Sequence, residues 1–339
     1  MNTTSKKYIL WFKEISKNDV ALVGGKNASL GEMFSKLARK GINVPDGFAL
    51  TSNFYWRFIE ENSLQEKLEK IFADFDPQSI QSLQKTGKKC RDLIMKASLS
   101  RELEAEIFRF YRELSAKFQQ KEADVAVRTS GVAEDSPTTS FAGQFETFLN
   151  VKGEKKLFSA VKQSLTSTFT DRAVAYRQEN KIPQLKFALS IGVQKMVRSD
   201  LGSSGIMFTL DTESGFPDII LINSIWGVGE MIVKGKITPD EFQVFETTLG
   251  RLSPRGKPYR PIIVKNMGRK IIKYIYGKNG GLKEVETKQK EKTTFSINDR
   301  DILKLAKWAR LIEKHYGKEQ DIEWAKDGKT GQLFIVQSR

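Results

Sequence analysis

The sequence predicts an α+β protein, and three observations carry that prediction. Short runs that alternate apolar and polar residues, such as FETFLNV at 145–151, read as half-buried strands. Longer stretches repeat apolar residues at helical spacing, most clearly from Leu64 to Gln120. The second half places hairpin-type turns, Asp200-Leu201-Gly202-Ser203 and Asp327-Gly328, between strand runs, so its pairing is expected to be antiparallel.

Composition narrows the class. With 339 residues the chain can hold one large or two medium domains with a real core. Its 39% hydrophobic content and interspersed charge fit a soluble globular protein. There is no apolar run long enough to span a bilayer and no signal-like segment at Met1 to Leu10, which makes the cytoplasm the expected location. The single cysteine, Cys90, excludes an internal disulfide and reads as a structural thiol on a helix. The single histidine, His315, stands at a helix end and reads as a surface or capping residue. A formal net charge of +15 raises the question of nucleic acid. The excess is concentrated between Arg251 and Lys292, where it reads as exposed hairpins with charged strand edges. No zinc-finger spacing, aromatic ladder or basic-region heptad accompanies it, which argues against a nucleic-acid partner.

In chain order, residues 8–24 read as a strand and a polar turn before Gly24-Gly25-Lys26. Leu30, Met33, Phe34 and Leu37 then follow helical spacing, with Asn27 or Ser29 as cap and Gly41 as stop. Lys26 is thereby expected at a helix N-terminus, where backbone N–H groups and the dipole favour an anion, although Gly-Gly-Lys lacks P-loop spacing. Pro45 and Gly47 set a turn before a strand at 48–51, and Thr51 or Ser52 caps a helix whose Phe54, Phe58 and Ile59 read as core. A helical insertion follows at about 64–120, with breaks at Asp76-Pro77 and Ser98-Leu99-Ser100.

The stretch from Val125 to Val151 reads as strand, loop, strand. Its loop is small and hydroxylated, with Gly131, Gly143, Ser130, Ser136, Thr138, Thr139 and Ser140 beside Glu134 and Asp135. Such a loop beside Arg128 offers donors and close backbone approach to polyphosphate oxygens. Polar hairpin loops without chemistry share the same composition. Helices then run to Pro183, and the Arg172–Arg177 segment reads as arginines that pair with acids and orient a helix. Two strands flank the 200–203 turn, with Gln194, Lys195 and Met196 central in the first and available for adenine contacts; packing explains Met196 equally well. Beyond a Gly-x-Gly-Glu turn at 227–230 and Pro239-Asp240, a helix runs from Asn298 to a stop at Gly317. On the closing strands Asp321 and Glu323 share one side, and Gln337 and Arg339 share one side of the next. Two carboxylates and a carboxamide oxygen suit Mg2+, and an arginine beside them suits phosphate; an exposed, charge-paired hairpin has the same pattern.

Arg128-Thr129-Ser130, Glu134-Asp135, Ser140-Phe141-Ala142-Gly143-Gln144 and Glu146-Thr147-Phe148-Leu149-Asn150-Val151 come in the order seen in one family. So do Val44-Pro45-x-Gly47-Phe48, Asp321-Ile322-Glu323-Trp324-Ala325 and Val336-Gln337-x-Arg339. From about Lys7 to Arg339 the chain resembles the nucleotide-binding domain of the phosphoenolpyruvate synthase and pyruvate phosphate dikinase family, a domain also present in rifamycin phosphotransferase. It departs from the family pattern in Thr129, and in Gly131-Val132 where the family has Ala-Thr.

The resemblance implies an ATP-grasp fold, with subdomains at 1–195 and 196–339 that hold ATP between them. It implies that Lys26, Arg128, Gly143, Thr147 and Gln194 contact the nucleotide. Glu323 and Gln337, with Asp321 as a further candidate, would hold Mg2+, and Arg128 and Arg339 would neutralise charge as the phosphate bond breaks. In the family, the pyrophosphoryl group of ATP passes to a histidine on a separate domain and then serves a pyruvate-binding domain. The whole reaction converts ATP, pyruvate and water to AMP, phosphoenolpyruvate and phosphate. This chain has no Thr-x-His-Ala motif and no pyruvate-binding barrel, and it stops where the family continues with Pro-Glu-Thr. The expectation is an excised domain or separate subunit that binds ATP without completing pyruvate phosphorylation. The alternatives are a related phosphotransferase acting on a rifamycin-like drug or a phenol, and a non-catalytic nucleotide- or nucleic-acid-binding module.

Overall fold

The computed structural model describes residues 7–132 and 146–339 and, between them, the backbone of short strands at 135–136 and 139–140. The chain divides into two units, Met1–Ser35 with Asp46–Met196, and Lys36–Pro45 with Val197–Arg339.

The first unit contains β1 (Ile9–Trp11), α1 (Val20–Glu32), β2 (Gly47–Leu50), α2 (Ser52–Glu61), α3 (Leu64–Ala73), α4 (Ile80–Lys96) and α5 (Arg101–Lys117). It continues with β3 (Val125–Gly131), β4 (Asp135–Ser136), β5 (Thr139–Ser140), β6 (Thr147–Val151), α6 (Glu154–Ser167), α7 (Asp171–Glu179) and β7 (Leu189–Lys195). Its sheet has the order β1-β2-β7-β3-β6, antiparallel throughout. Phe48, Leu50, Val125, Val127, Ile191 and Val193 point from one face into a core shared with Phe54, Phe58 and Phe110 of the helices. Thr51, Ser79, Ser100 and Thr170 each cap a helix by accepting an N–H from three residues on, which fixes where α2, α4, α5 and α7 begin.

Three local expectations change. The segment before Gly24 is helical, not a turn: Asp19 accepts from the backbone and hydroxyl of Ser16, and α1 starts at Val20. Gly24, at φ 70° and ψ 162°, kinks this helix, so Lys26 lies in the turn that resumes after the kink, and neither Asn27 nor Ser29 is its cap. The 200–203 turn does not join two paired strands. β7 is the fully buried centre of the first sheet, whereas the next strand, β8 (Ser203–Phe208), belongs to the second unit. Arg177, expected to meet an acid, is fully buried between the rings of Phe169 and Phe187 and donates from Nε to Gln184. Burial pushes its guanidinium down to about 10, and burial likewise pushes the neighbouring Cys90 thiol up to about 12.

The second unit adds to β8 the elements β9 (Ile219–Trp226), α8 (Glu230–Val233), β10 (Asp240–Phe245), β11 (Ile262–Asn266), β12 (Ile272–Tyr276) and β13 (Leu282–Glu286). It closes with α9 (Gln289–Lys292), α10 (Asp299–Tyr316), β14 (Asp321–Lys326) and β15 (Leu333–Ser338). The sheet order is β11-β10-β9-β8-β14-β15, again antiparallel. Asn298 caps α10 through the Asp301 N–H, and Gly317 ends it in the left-handed region. The helix buries Ile302, Leu305, Ala309 and Ile312 against β9, β10 and β11. Asp240 anchors the sheet's far side: it pairs with Lys270 at full burial and accepts from Gly268 N (2.9 Å), Ser296 N (2.8 Å) and Ser296 Oγ (2.7 Å). Among the described residues no helix is long and apolar enough to cross a membrane.

Candidate functional site

In the first unit, strand register decides which candidates share a surface. Arg128 on β3 stands opposite Gly192 on β7 and Thr147 on β6. Gln194 stands opposite Ala126 on β3 and Gly47 on β2. Alternation along each strand therefore puts Arg128, Thr147, Gln194, Ser130 and Ser190 on one face, opposite the apolar core face. Arg128 is partly buried, Thr147 exposed and Gln194 buried. Lys195 faces the other way, toward Phe118, with Nζ donating to the Met196 carbonyl at 2.9 Å, so it does not share Gln194's surface.

Helix α1 is seated on one end of the Arg128 face, and glycines allow the approach. Asn27 Nδ2 donates to Ser190 Oγ at 2.9 Å, and Ser190 Oγ donates to the Leu50 carbonyl at 2.6 Å. A Cβ on Gly192 would come within 2.3 Å of Asn27 Oδ1. At Gly24 a Cβ would come within 2.3 Å of Ser130 Oγ and 2.7 and 2.8 Å of the carbonyl oxygens of Ser130 and Gly131. The kink thus lays the turn bearing Lys26 against the end of β3, where the hydroxylated loop begins. Gly143 lies outside the described residues, as do Glu134 and Thr138, while Asp135, Ser136, Thr139 and Ser140 are described by backbone alone. Sequence reasoning did not single out Asn27, Ser190 or Gly192 as a contact; a glycine inside an otherwise bulky strand was the available signal.

In the second unit, Glu323 on β14 is the direct cross-strand neighbour of Gln337 on β15. The register shifts just beyond, between Glu323 and Trp324, so the pair sits beside a bulge, a device that re-aims neighbouring side chains. Asp321 and Arg339 exchange both backbone hydrogen bonds, at 2.9 and 3.0 Å. Arg339 also donates to Asp321 Oδ2 from Nε at 2.9 Å, with Nη2 2.8 Å from the same oxygen. Asp321 is thus committed to the arginine, leaving Glu323 and Gln337 as the juxtaposed oxygen donors. Their row continues across the sheet through Ile206 on β8 to Asn223 on β9 and Glu241 on β10, two polar residues that sequence reading left inside an apolar strand and its neighbour.

A carboxylate facing a carboxamide fits a hard cation that takes few protein ligands and completes its shell with phosphate and water. Among the described residues there is no cluster of three or more His, Cys, Asp or Glu side chains arranged for a metal.

A family model described as the pyruvate phosphate dikinase AMP/ATP-binding domain matches residues 20–339. The phosphoenolpyruvate synthase of Helicobacter pylori is 48% identical over 342 residues, covering 98% of this chain and 41% of that protein. The phosphoenolpyruvate synthase of Aquifex aeolicus is 45% identical, with 99% of this chain and 39% of that protein covered. For that of Escherichia coli K12 the figures are 44%, 100% and 42%. The chain spans about two fifths of the length of the curated relatives it matches. A crystal structure of a D-cycloserine synthetase is matched at TM-score 0.24 and 12% identity, over 68% of this chain and 52% of that one, a likeness too slight to bear on the fold.

Proposed function

The chain belongs to the family of the pyruvate phosphate dikinase AMP/ATP-binding domain, and from that premise we propose that it binds ATP with Mg2+ and donates a pyrophosphoryl group to a histidine on another domain. In this reading it is an ATP-grasp domain, with subdomains near 1–195 and 196–339 that contribute to one nucleotide site. It works in the cytoplasm as the ATP-using part of a phosphoenolpyruvate synthase-like dikinase. The phosphohistidine and pyruvate-binding domains belong to the same longer protein or to a partner subunit.

The observation that carries the reading is the pairing of Glu323 with Gln337 beside an arginine held by Asp321. Glu323 and Gln337 would hold Mg2+, which supplies charge neutralisation between phosphate oxygens. Arg339, its guanidinium oriented by Asp321, contacts the phosphates as a planar donor. Arg128 supplies a second guanidinium from a sheet with a fixed register, and Thr147 and Gln194 contact the nucleotide from the same face. Lys26 adds a point charge from the turn that Gly24 seats on β3. Gly143 would allow close backbone approach from the loop. The protein's work is then positioning and electrostatics, which is what phosphoryl transfer chiefly needs.

Calorimetric titration with ATP, with and without Mg2+, tests this. Arg128→Ala is expected to weaken binding by about 1.5–3 kcal/mol, the range for a charge-assisted contact. Glu323→Ala is expected to remove the Mg2+-dependent part alone; equal losses with and without Mg2+ would refute its metal role. Transfer of label from β-labelled ATP to a separately prepared phosphohistidine domain tests the acceptor.

A further inference from the structure

The stretch 251–271 is unlike the rest of the surface. It carries no acidic residue and seven Lys or Arg. Lys270 is buried on Asp240 and Lys265 pairs with Asp299, whereas Arg251, Arg255, Lys257, Arg260 and Arg269 are exposed and make no ion pair among the described residues. Between these cations stand five large apolar side chains turned to solvent: Leu252, Tyr259, Ile263, Met267 and Ile271, from 41% exposed at Tyr259 to 65% at Leu252. They follow one another along a bridged loop, where Leu252 pairs with Pro258, on β11, the edge strand of the six-stranded sheet, and along the segment between β11 and β12. The register shift between β10 and β11 leaves Ile263 without a cross-strand partner.

We propose that this edge is a docking surface for an acidic protein surface with an apolar centre. Arginine, methionine and tyrosine are the residue types enriched where proteins meet, and aliphatic groups that cost free energy in water gain most from being covered. Charge complementarity selects the partner. A second copy of a chain with net charge +15 is repelled. Nucleic acid would satisfy the cations and find one ring, Tyr259, but would leave the leucine, isoleucine and methionine side chains without a complement. The bulged, lysine- and arginine-lined edge resists addition of a further strand, so the partner lies across the side chains and does not extend the sheet. This inference stands independently of the nucleotide reading.

The test uses the whole chain and a synthetic peptide of about twelve residues alternating glutamate with leucine. Polyglutamate of equal charge, poly-uridylate and phosphatidylserine–phosphatidylcholine vesicles serve as competitors for the interpretation. At roughly 150 mM salt the glutamate–leucine peptide is expected to bind roughly tenfold more tightly than polyglutamate. The double change Ile263→Ser with Met267→Ser should erase that advantage, and Arg255→Glu with Arg260→Glu should abolish binding of both peptides. All four positions are exposed, and circular dichroism confirms that the variants fold. Equal binding of the two peptides, tighter binding of poly-uridylate or vesicles, or no binding of the glutamate–leucine peptide would each overturn the proposal.

Discussion

Gly24→Ala puts a methyl group into the tightest contact at the Lys26 turn, and the structure fixes what that costs. The residue sits at φ 70° and ψ 162°, a region essentially reserved for glycine, where a side chain costs about 1–3 kcal/mol. The added carbon also meets two carbonyl oxygens at 2.7 and 2.8 Å. Rotating Ser130 Oγ away relieves only the 2.3 Å contact; the carbonyls belong to β3 and can move only with the sheet. Overpacking of that kind costs about 1–3 kcal/mol more. Gly153→Ala is the matched control. Gly153 has φ 87° and ψ 153°, and the three atoms nearest its Cβ would all belong to the Glu122 side chain, from 3.0 Å, which is exposed and can swing away. The difference between the two variants isolates the clash with the backbone, expected at about 1–3 kcal/mol. Native-state hydrogen exchange at β3 and β7 amides, which reports opening of the first unit itself, reads this difference. ATP affinity should fall in Gly24→Ala and hold in Gly153→Ala. If the two cost the same, the helix is not pressed against β3 as described and the placing of Lys26 fails with it.

Other consequences follow from burial and charge. Lys270→Met leaves the Asp240 carboxylate buried without its cation and is expected to cost about 3–5 kcal/mol in urea unfolding; adding Asp240→Asn should recover part of the loss. Burial raises the Cys90 thiol from 9.0 to about 12, so the folded state keeps the proton that the unfolded chain begins to release near pH 9. That stability is complete below pH 9 and is lost as pH rises toward 12, with a slope of at most about 1.4 kcal/mol per pH unit. Cys90→Ala should flatten the decline between about pH 9 and 12, read by urea midpoints, and the native thiol should resist an aromatic disulfide reagent until the chain unfolds. Asp321→Ala breaks a half-exposed pair worth at most about 1 kcal/mol of stability, yet should weaken ATP binding measurably if the carboxylate orients Arg339.

Much of this was legible because the signals were local. Thr51 and Asn298 cap their helices through their own side chains, Gly41 and Gly317 end helical stretches at positive φ, and alternation alone put Glu323 and Asp321 on one face. What was misread depended on distant partners. The 200–203 segment has hairpin chemistry, but β7 pairs with β2 and β3, about 140 and 65 residues back in the chain, because only a central position buries all seven of its residues. The residues before Gly24-Gly25 read as a polar turn leading into a helix, and only Ser130 and Gly131, far along the chain, show what a kink at Gly24 lies against. Arg177 gave no sign that its neighbours would be rings, since the aromatic residues come from either side of a helix and a loop.

If β14 and β15 hold phosphate as proposed, their arrangement also accounts for two carboxylates at such a site. Left alone, Asp321 and Glu323 would repel both each other and a triphosphate. Asp321 is instead spent on Arg339, through two side-chain contacts and a reciprocal backbone pair, so that the two together are close to neutral while the guanidinium is held in one plane. Glu323 then stands directly across the strands from Gln337. In the proposed reading a divalent cation at Glu323 and Gln337 would offset carboxylate charge there, while Arg339 is held in place by Asp321. Removing Asp321 therefore should not act as removing a ligand does: the cation site would keep Glu323 and Gln337, while the arginine, no longer held, would lose its direction. Mg2+ dependence retained with weaker nucleotide binding is the signature of that role, and loss of Mg2+ dependence in Asp321→Ala would instead place the carboxylate on the metal.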